Sequence, residues 1–137
     1  MINKYTLLLL IGHTLGDFYF QKAKRAEEKD KKYIGVIKHS IEYLFAMVLV
    51  MLPVLNLDMF VASMCATILH WLIDTIKFVL LKKEKINNNY KVFVHDQCVH
   101  IVSIWMIAYI MECWKFRVLP LQIVRDIFDA YAMVNNL

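Results

Sequence analysis

Gly12-His13-Thr14-Leu15-Gly16-Asp17-Phe18-Tyr19-Phe20-Gln21 is the stretch on which the reading of this chain turns. It lies in an apolar segment that begins at Tyr5, yet it carries His13, Asp17 and Gln21 four residues apart. On a helix that spacing puts the three on one face. Gly12 and Gly16 form a small-xxx-small pair beside them, which lets a second helix approach closely. A polar stripe and a small-residue stripe on an apolar helix describe a helix that faces the interior of a membrane bundle.

Outward from this stretch the same spacing returns as His70…Asp74 and, reversed, as Asp96…His100, while a lone His39 opens another apolar segment. Three of the five His thus have an Asp four residues away, where composition alone gives roughly one in ten.

The composition agrees with a membrane setting. Hydrophobic residues make up 60% of the 137 and mean hydropathy is +0.49, above the roughly 45–50% apolar content of soluble domains. The length fits one domain, residues 1–137. Charged residues cluster between the apolar segments, so the +4 net charge reads as membrane topology. No interleaved basic and aromatic surface is present to track a phosphate backbone, which excludes nucleic acid as a partner. Cys65, Cys98 and Cys113 are odd in number and lack CxxC spacing, so neither a disulfide framework nor a Cys-based zinc site is expected. They read as small apolar packing residues. Lys4 and the apolar run after it resemble a signal peptide, but no small-residue cleavage site follows, and a retained helix is expected.

The expected fold is an all-α membrane protein: four transmembrane helices in a bundle, at about 5–22, 34–55, 59–81 and 92–113, plus a C-terminal amphipathic helix at about 120–134. The polar stretch Lys22 to Lys32 continues the first helix before a turn, and Pro53 ends the second. Asp58 is the expected N-cap of the third, and Asn87-Asn88-Asn89 breaks the pattern before the fourth. In the last helix Leu121, Ile123, Val124, Ile127, Phe128 and Tyr131 alternate with Arg125, Asp126 and Asp129. The loops after the first and third segments hold most of the Lys and Arg, so both are expected in the cytoplasm with the termini outside.

With that topology the polar residues share one depth. At about 1.5 Å per residue the four sets fall within roughly one or two turns of the same level. Intramembrane ionisable groups cost about 2.5–3.5 kcal/mol each on insertion scales, so they face inward and pair. A divalent cation would satisfy all of them, and His nitrogen with Asp oxygen is an ordinary zinc donor set. The expected ligands are His13, Asp17, His39, His70, Asp74, Asp96 and His100, with zinc as the metal. Within that set, His13, His70 and His100 with one Asp hold the metal. Asp17, Asp74 or Asp96 serves as general base, and His39 completes the coordination or acts as acid. Gln21 and Gln97 are placed to orient a ligand. Lys77 pairs with an acid, binds an anionic headgroup or snorkels. Glu42 reads as a base or a partner for a Lys. His95 points off the Asp96/His100 face and reads as structural. Each His/Asp pair alone also fits a helix-stabilising ion pair.

At these residues the chain resembles a family. GHxLGDFxxQ at Gly12 to Gln21, the lone His39, HxxxDxxK at His70 to Lys77 and DQxxH at Asp96 to His100 are similar to a family of small bacterial integral-membrane proteins of unknown function, DUF3307. The likeness covers about Tyr5 to Ile104 and leaves out the stretch after Cys113. It implies a four-helix protein of the bacterial cytoplasmic membrane and brings no activity. In site type alone, the pattern is distantly similar to intramembrane metal-dependent hydrolases such as the alkaline ceramidases and the inner-membrane hydrolases induced with DNA damage.

The function expected is metal-dependent hydrolysis of a lipid or lipid-linked substrate, with membrane lipid as partner. Four short helices leave little room for a closed cavity, which makes a homodimer plausible. A metal-ion or proton carrier would use the same residues but would need access from both sides. The nearly apolar runs Leu44 to Leu52 and Ile104 to Met111 argue against that. The third reading is a non-catalytic membrane subunit whose polar cluster fixes helix register.

Overall fold

The computed structural model describes residues 4–20, 23–116 and 120–135. It is helical throughout, with no strand among the described residues. In order come α1 (Lys4–Thr14), a π-helical turn (Leu15–Phe20), α2 (Ala23–Lys31), α3 (Tyr33–Met51) with a 3-10 turn (Leu52–Val54), α4 (Leu57–Lys82), α5 (Tyr90–Cys113) and α6 (Gln122–Asn135). α1 packs on α3 and α5, α3 on α4, and α4 on α5, which closes a ring of four helices. α2 lies over α3 and α4.

Three of these helices are long and apolar enough to cross a membrane: Tyr33–Val54, Leu57–Lys82 and Tyr90–Cys113. The first segment, expected as a fourth full span, is not one of them. Its α-helix runs 11 residues, about 16 Å. At Leu15 the backbone passes into a π-helical turn, whose hydrogen bonds reach i→i+5. Gln21 and Lys22 lie outside the described residues, as does the side chain of Phe128.

The glycines set two close approaches. A Cβ on Gly16 would lie 2.8 Å from Cδ2 of Tyr43, and Gly12 faces Met47, so α3 seats against the first helix along the small-residue stripe. A Cβ on Gly35 would lie 2.5 Å from the Glu28 carbonyl oxygen and 2.7 Å from Lys29 N. Backbone cannot yield as a side-chain tip can, so Gly35 is what lets α2 fold back on α3. The other boundaries follow their caps. α4 starts from Asn56 rather than Asp58, because the Asn56 side chain accepts from Met59 N at 3.1 Å and leaves Asp58 in the first turn. Asn89 does the same for α5, accepting from Val92 N at 3.0 Å.

One half of the bundle is filled by Leu9, Met47, Met51, Met59, Ile104 and Met111, all buried. Ser63 and Thr67 are buried nearby, with their hydroxyls turned onto the Met59 and Ser63 carbonyls of their own helix, each at 2.9 Å. The end of this half is tied by Tyr5 Oη donating to Phe116 O at 2.7 Å and Leu121 N donating to Pro53 O at 2.9 Å. Cys65, Cys98 and Cys113, expected to pack, are instead exposed on the outer face. Trp105 and Trp114 are also exposed, and α6 presents Ile123, Ile127 and Tyr131 outward.

Candidate metal centre

The other half of the bundle is polar inside. α1 delivers His13, the π-turn Asp17, α3 His39, α4 His70 and Asp74, and α5 Asp96 and His100; all seven are buried. His39, Asp96 and His100 lie in the first halves of α3 and α5. His13 lies at the end of α1 with Asp17 in the turn that follows, and His70 and Asp74 lie at and past the middle of α4, so antiparallel packing brings every set to one level.

The closest donors are four. His39 Nε2 lies 3.0 Å from Asp17 Oδ1, 3.0 Å from His70 Nε2 and 3.6 Å from Asp74 Oδ2. His70 Nε2 lies 3.3 Å from both Asp17 Oδ1 and Asp74 Oδ2. His100 Nε2 stands beside them, 3.6 Å from Asp74 Oδ1 and 3.7 Å from Asp96 Oδ1. Three groups have donor atoms mutually within 4.8 Å and could hold a metal ion: His13, Asp17 and His70; His39, His70 and Asp74; Asp74, Asp96 and His100. Asp74 joins two of them, and so does His70.

The His13/Asp17 pair is not the contact its spacing suggests. The two approach only to 4.0 Å, because the π-turn begins two residues before Asp17 and re-aims its carboxylate. Asp17 instead reaches across to α3 and α4, and Gln97 Nε2 donates to its second oxygen at 3.2 Å. Gln97, expected to orient a ligand, thus contacts one of the candidate donors.

Two further residues shape the site and were not legible as part of it. Lys29, on α2, is buried and sets its Nζ 3.0 and 3.1 Å from the two oxygens of Asp74. Burial alone would pull this ammonium down, but the carboxylates of Asp74 and Asp17 outweigh it and raise its pKa. Nothing in a run of six cations from Lys22 to Lys32 marks Lys29 out; the tight packing at Gly35 selects it. Tyr43 stacks on the His70 ring, with centroids 3.8 Å apart and planes 12° apart. His100 also stacks on His70, at 4.1 Å and 25°. Gly16 thus acts on the site indirectly: its missing side chain seats Tyr43, and Tyr43 orients His70.

At the edge, Lys77 Nζ binds Asp96 Oδ2 at 3.1 Å and lies 3.8 Å from Asp30, the acid pairing the sequence offered. His95 is exposed and its Nδ1 contacts Lys91 O at 2.9 Å, outside the cluster. Glu42 is half-buried one turn from His39.

Both ring nitrogens of His13 and both of His100 are buried without a hydrogen-bond partner among the described residues. The donor set beside them suits a divalent cation. Lone pairs of imidazole and carboxylate converge, and their charge is only partly met by Lys29 and Lys77.

The family can now be stated. The sequence model of the family described as Protein of unknown function (DUF3307) matches residues 5–124. The chain belongs to that family. The match runs past Ile104 and into α6, farther than the motifs alone suggested. No curated protein and no solved structure matches the chain. Family membership supplies no activity, so the geometry is the ground on which function is read.

Proposed function

We propose that this chain is an integral membrane metalloenzyme that holds a divalent ion, zinc, on Asp17, His39, His70 and Asp74, and hydrolyses a lipid or lipid-linked substrate. One observation carries the reading. Donors at 2.0–2.1 Å from a tetrahedral zinc are separated by about 3.3–3.4 Å. Five of the six separations among these four donors, all but Asp17 to Asp74, run from 3.0 to 3.6 Å and bracket that value.

Four protein donors close a tetrahedral site, so a water would have to exchange with one of the two carboxylates, and zinc held there would then supply a Lewis acid and acidify that water. The chain's own residues do the rest. Asp96 is the carboxylate left outside the four donors, and its Oδ1, 3.7 Å from His100 Nε2, takes the proton as general base. Lys77 holds the other Asp96 oxygen. Gln97 orients Asp17, and the Tyr43–His70–His100 stack fixes the His70 ring. In this reading α1 and the π-turn make a fourth, partial crossing. Both basic loops face the cytoplasm of a bacterial cell, the termini face out, and the centre lies near the cytoplasmic leaflet. Hydrolysis is favoured over a carrier because the interior beyond the cluster is filled by Leu9, Met47, Met59 and Ile104. The buried Ser63 and Thr67 hydroxyls there bond to their own helix, so they offer no polar path across.

Elemental mass spectrometry of the purified full chain tests this. About one zinc per chain is expected, lost in His70→Ala and retained in His95→Ala. Asp96→Asn should keep the metal and lose hydrolysis across a panel of lipid amides, esters and phosphoesters. No metal after gentle purification, with all variants folded by circular dichroism, overturns the reading in favour of a polar cluster that fixes helix register.

A further inference from the structure

A groove of about 390 Å³ lies between α4 and α5. Its wall is aliphatic, formed by Ile73, Ile76 and Val99 among others. Its polar groups are three bases and one acid: Lys77, Lys91, His95 and Asp96. We infer that this groove binds a membrane lipid with an anionic phosphate headgroup and leads it to the metal centre.

The first argument is charge. The single acid, Asp96, is already met by Lys77 at 3.1 Å. Lys91 has no carboxylate partner among the described residues. His95 sits one helical turn on, on the same face. Its Nδ1–H donates to Lys91 O at 2.9 Å, which fixes the ring beside Lys91. Ammonium groups beside an apolar wall suit a phosphate that carries acyl chains.

The second argument is position. Asp96 belongs to both places. Its Oδ2 meets Lys77 at the groove, and its Oδ1 lies 3.7 Å from His100 in the buried cluster. A headgroup in the groove is therefore linked to the proposed donors through Asp96 and His100, which lies 3.6 Å from Asp74. The third argument is the setting. α4 and α5 are both long and apolar enough to cross a membrane. Ile76 is 60% exposed and Val99 50%, so the wall faces hydrocarbon and a lipid can enter sideways. The volume lies within the usual range of small-molecule sites, about 300–1,000 Å³. Free phosphate would leave the aliphatic wall unused.

This inference names the substrate class of the proposed hydrolase and in that sense rests on that reading, although the binding itself does not require metal. The test is calorimetric titration of the full chain in dodecyl maltoside with dihexanoyl phosphatidic acid, dihexanoyl phosphatidylcholine or inorganic phosphate. Metal content is measured on the same samples. Phosphatidic acid is expected to bind at least about tenfold more tightly than the choline lipid, in line with charge-assisted phosphate contacts. Lys91→Ala should weaken it about fivefold, the size of one basic contact to an anionic headgroup. Ile76→Trp, which fills the groove from an exposed position, should abolish it. Both variants should keep their metal. Equal affinity for the two lipids, competition by inorganic phosphate at equal concentration, or binding unchanged in both folded variants overturns the inference. Selective lipid binding by a chain that holds no metal supports this site and overturns the hydrolase reading alone. Metal without lipid preference does the reverse.

Discussion

In one half of the bundle Leu9, Met47, Met59 and Ile104 fill the interior; in the other, at a different depth on the same helices, Asp17, His39, His70 and Asp74 do. The apolar half is held by dispersion and close packing, with flexible Met side chains filling the irregular gaps. Its buried Ser63 and Thr67 hydroxyls are satisfied inside their own helix. The polar half is organised the opposite way. Its contacts run largely between helices, and its cations are Lys29 of α2, buried, and Lys77 of α4, half-buried. One half supplies a stable frame, and the other uses that frame to keep charged groups where they would not otherwise stay.

The sharpest way to break this comparison is Asp74→Ala. It should remove the metal and strand the Lys29 ammonium, costing about 3–5 kcal/mol as for other broken buried pairs. Lys29→Met with Asp74→Leu should recover most of that stability but none of the metal. Measured by thermal unfolding and elemental mass spectrometry, a double variant that regains metal would sink the assignment of Asp74 as ligand.

In the apolar half, Met59→Ala should cost about 2 kcal/mol by opening a cavity, with metal content unchanged. Metal loss there would show that the two halves are not separable. Gly16→Ala connects them. Its Cβ would press on Tyr43, so the expected result is a metal affinity reduced several-fold with only modest loss of melting temperature. Gly35→Ala should act through α2, lifting Lys29 from Asp74 and raising hydrogen exchange across Ala23–Lys31.

The Lys29 contact also has a pH signature. Because its pKa in the fold is raised, its contribution is complete below the ordinary lysine value and is lost only as pH climbs through the higher folded value. Between about pH 6 and 9 it should therefore hold, well below the ordinary lysine pKa. Amine labelling near neutral pH should modify exposed Lys32 and spare Lys29; equal labelling would contradict the buried pair. The smallest effect belongs to neither half. Cys65→Ala, on the outer face, should change stability by no more than about 0.5 kcal/mol and leave the metal in place.

Much of this was legible in one dimension. Apolar runs of spanning length, the turn signals at Pro53 and Asn87–Asn89, and a C-terminal amphipathic pattern placed the helices to within a few residues. The fourfold spacing of His and Asp placed six of the seven buried groups on inward faces, since 3.6 residues per turn makes i and i+4 neighbours, and the lone His39 was marked by its apolar segment. What failed did so for local reasons. The first segment was read as one regular helix, and no residue in Leu15–Phe20 announces the change to i→i+5 bonding. Asp58 and Asn56 are both good caps, and only the chain's entry into α4 chose between them.

The sequence by itself determined that the seven His and Asp residues face inward, because helical periodicity and the cost of charge in an apolar setting act along the chain. Only the tertiary structure decided which of them meet. The π-turn sent Asp17 away from His13 and toward His39 and His70. The tight packing at Gly35 brought Lys29 out of a basic loop and onto Asp74. Gly16 let Tyr43 stack on His70. Partners across helices depend on the direction of each side chain and the closeness of each backbone, and neither is written in spacing alone.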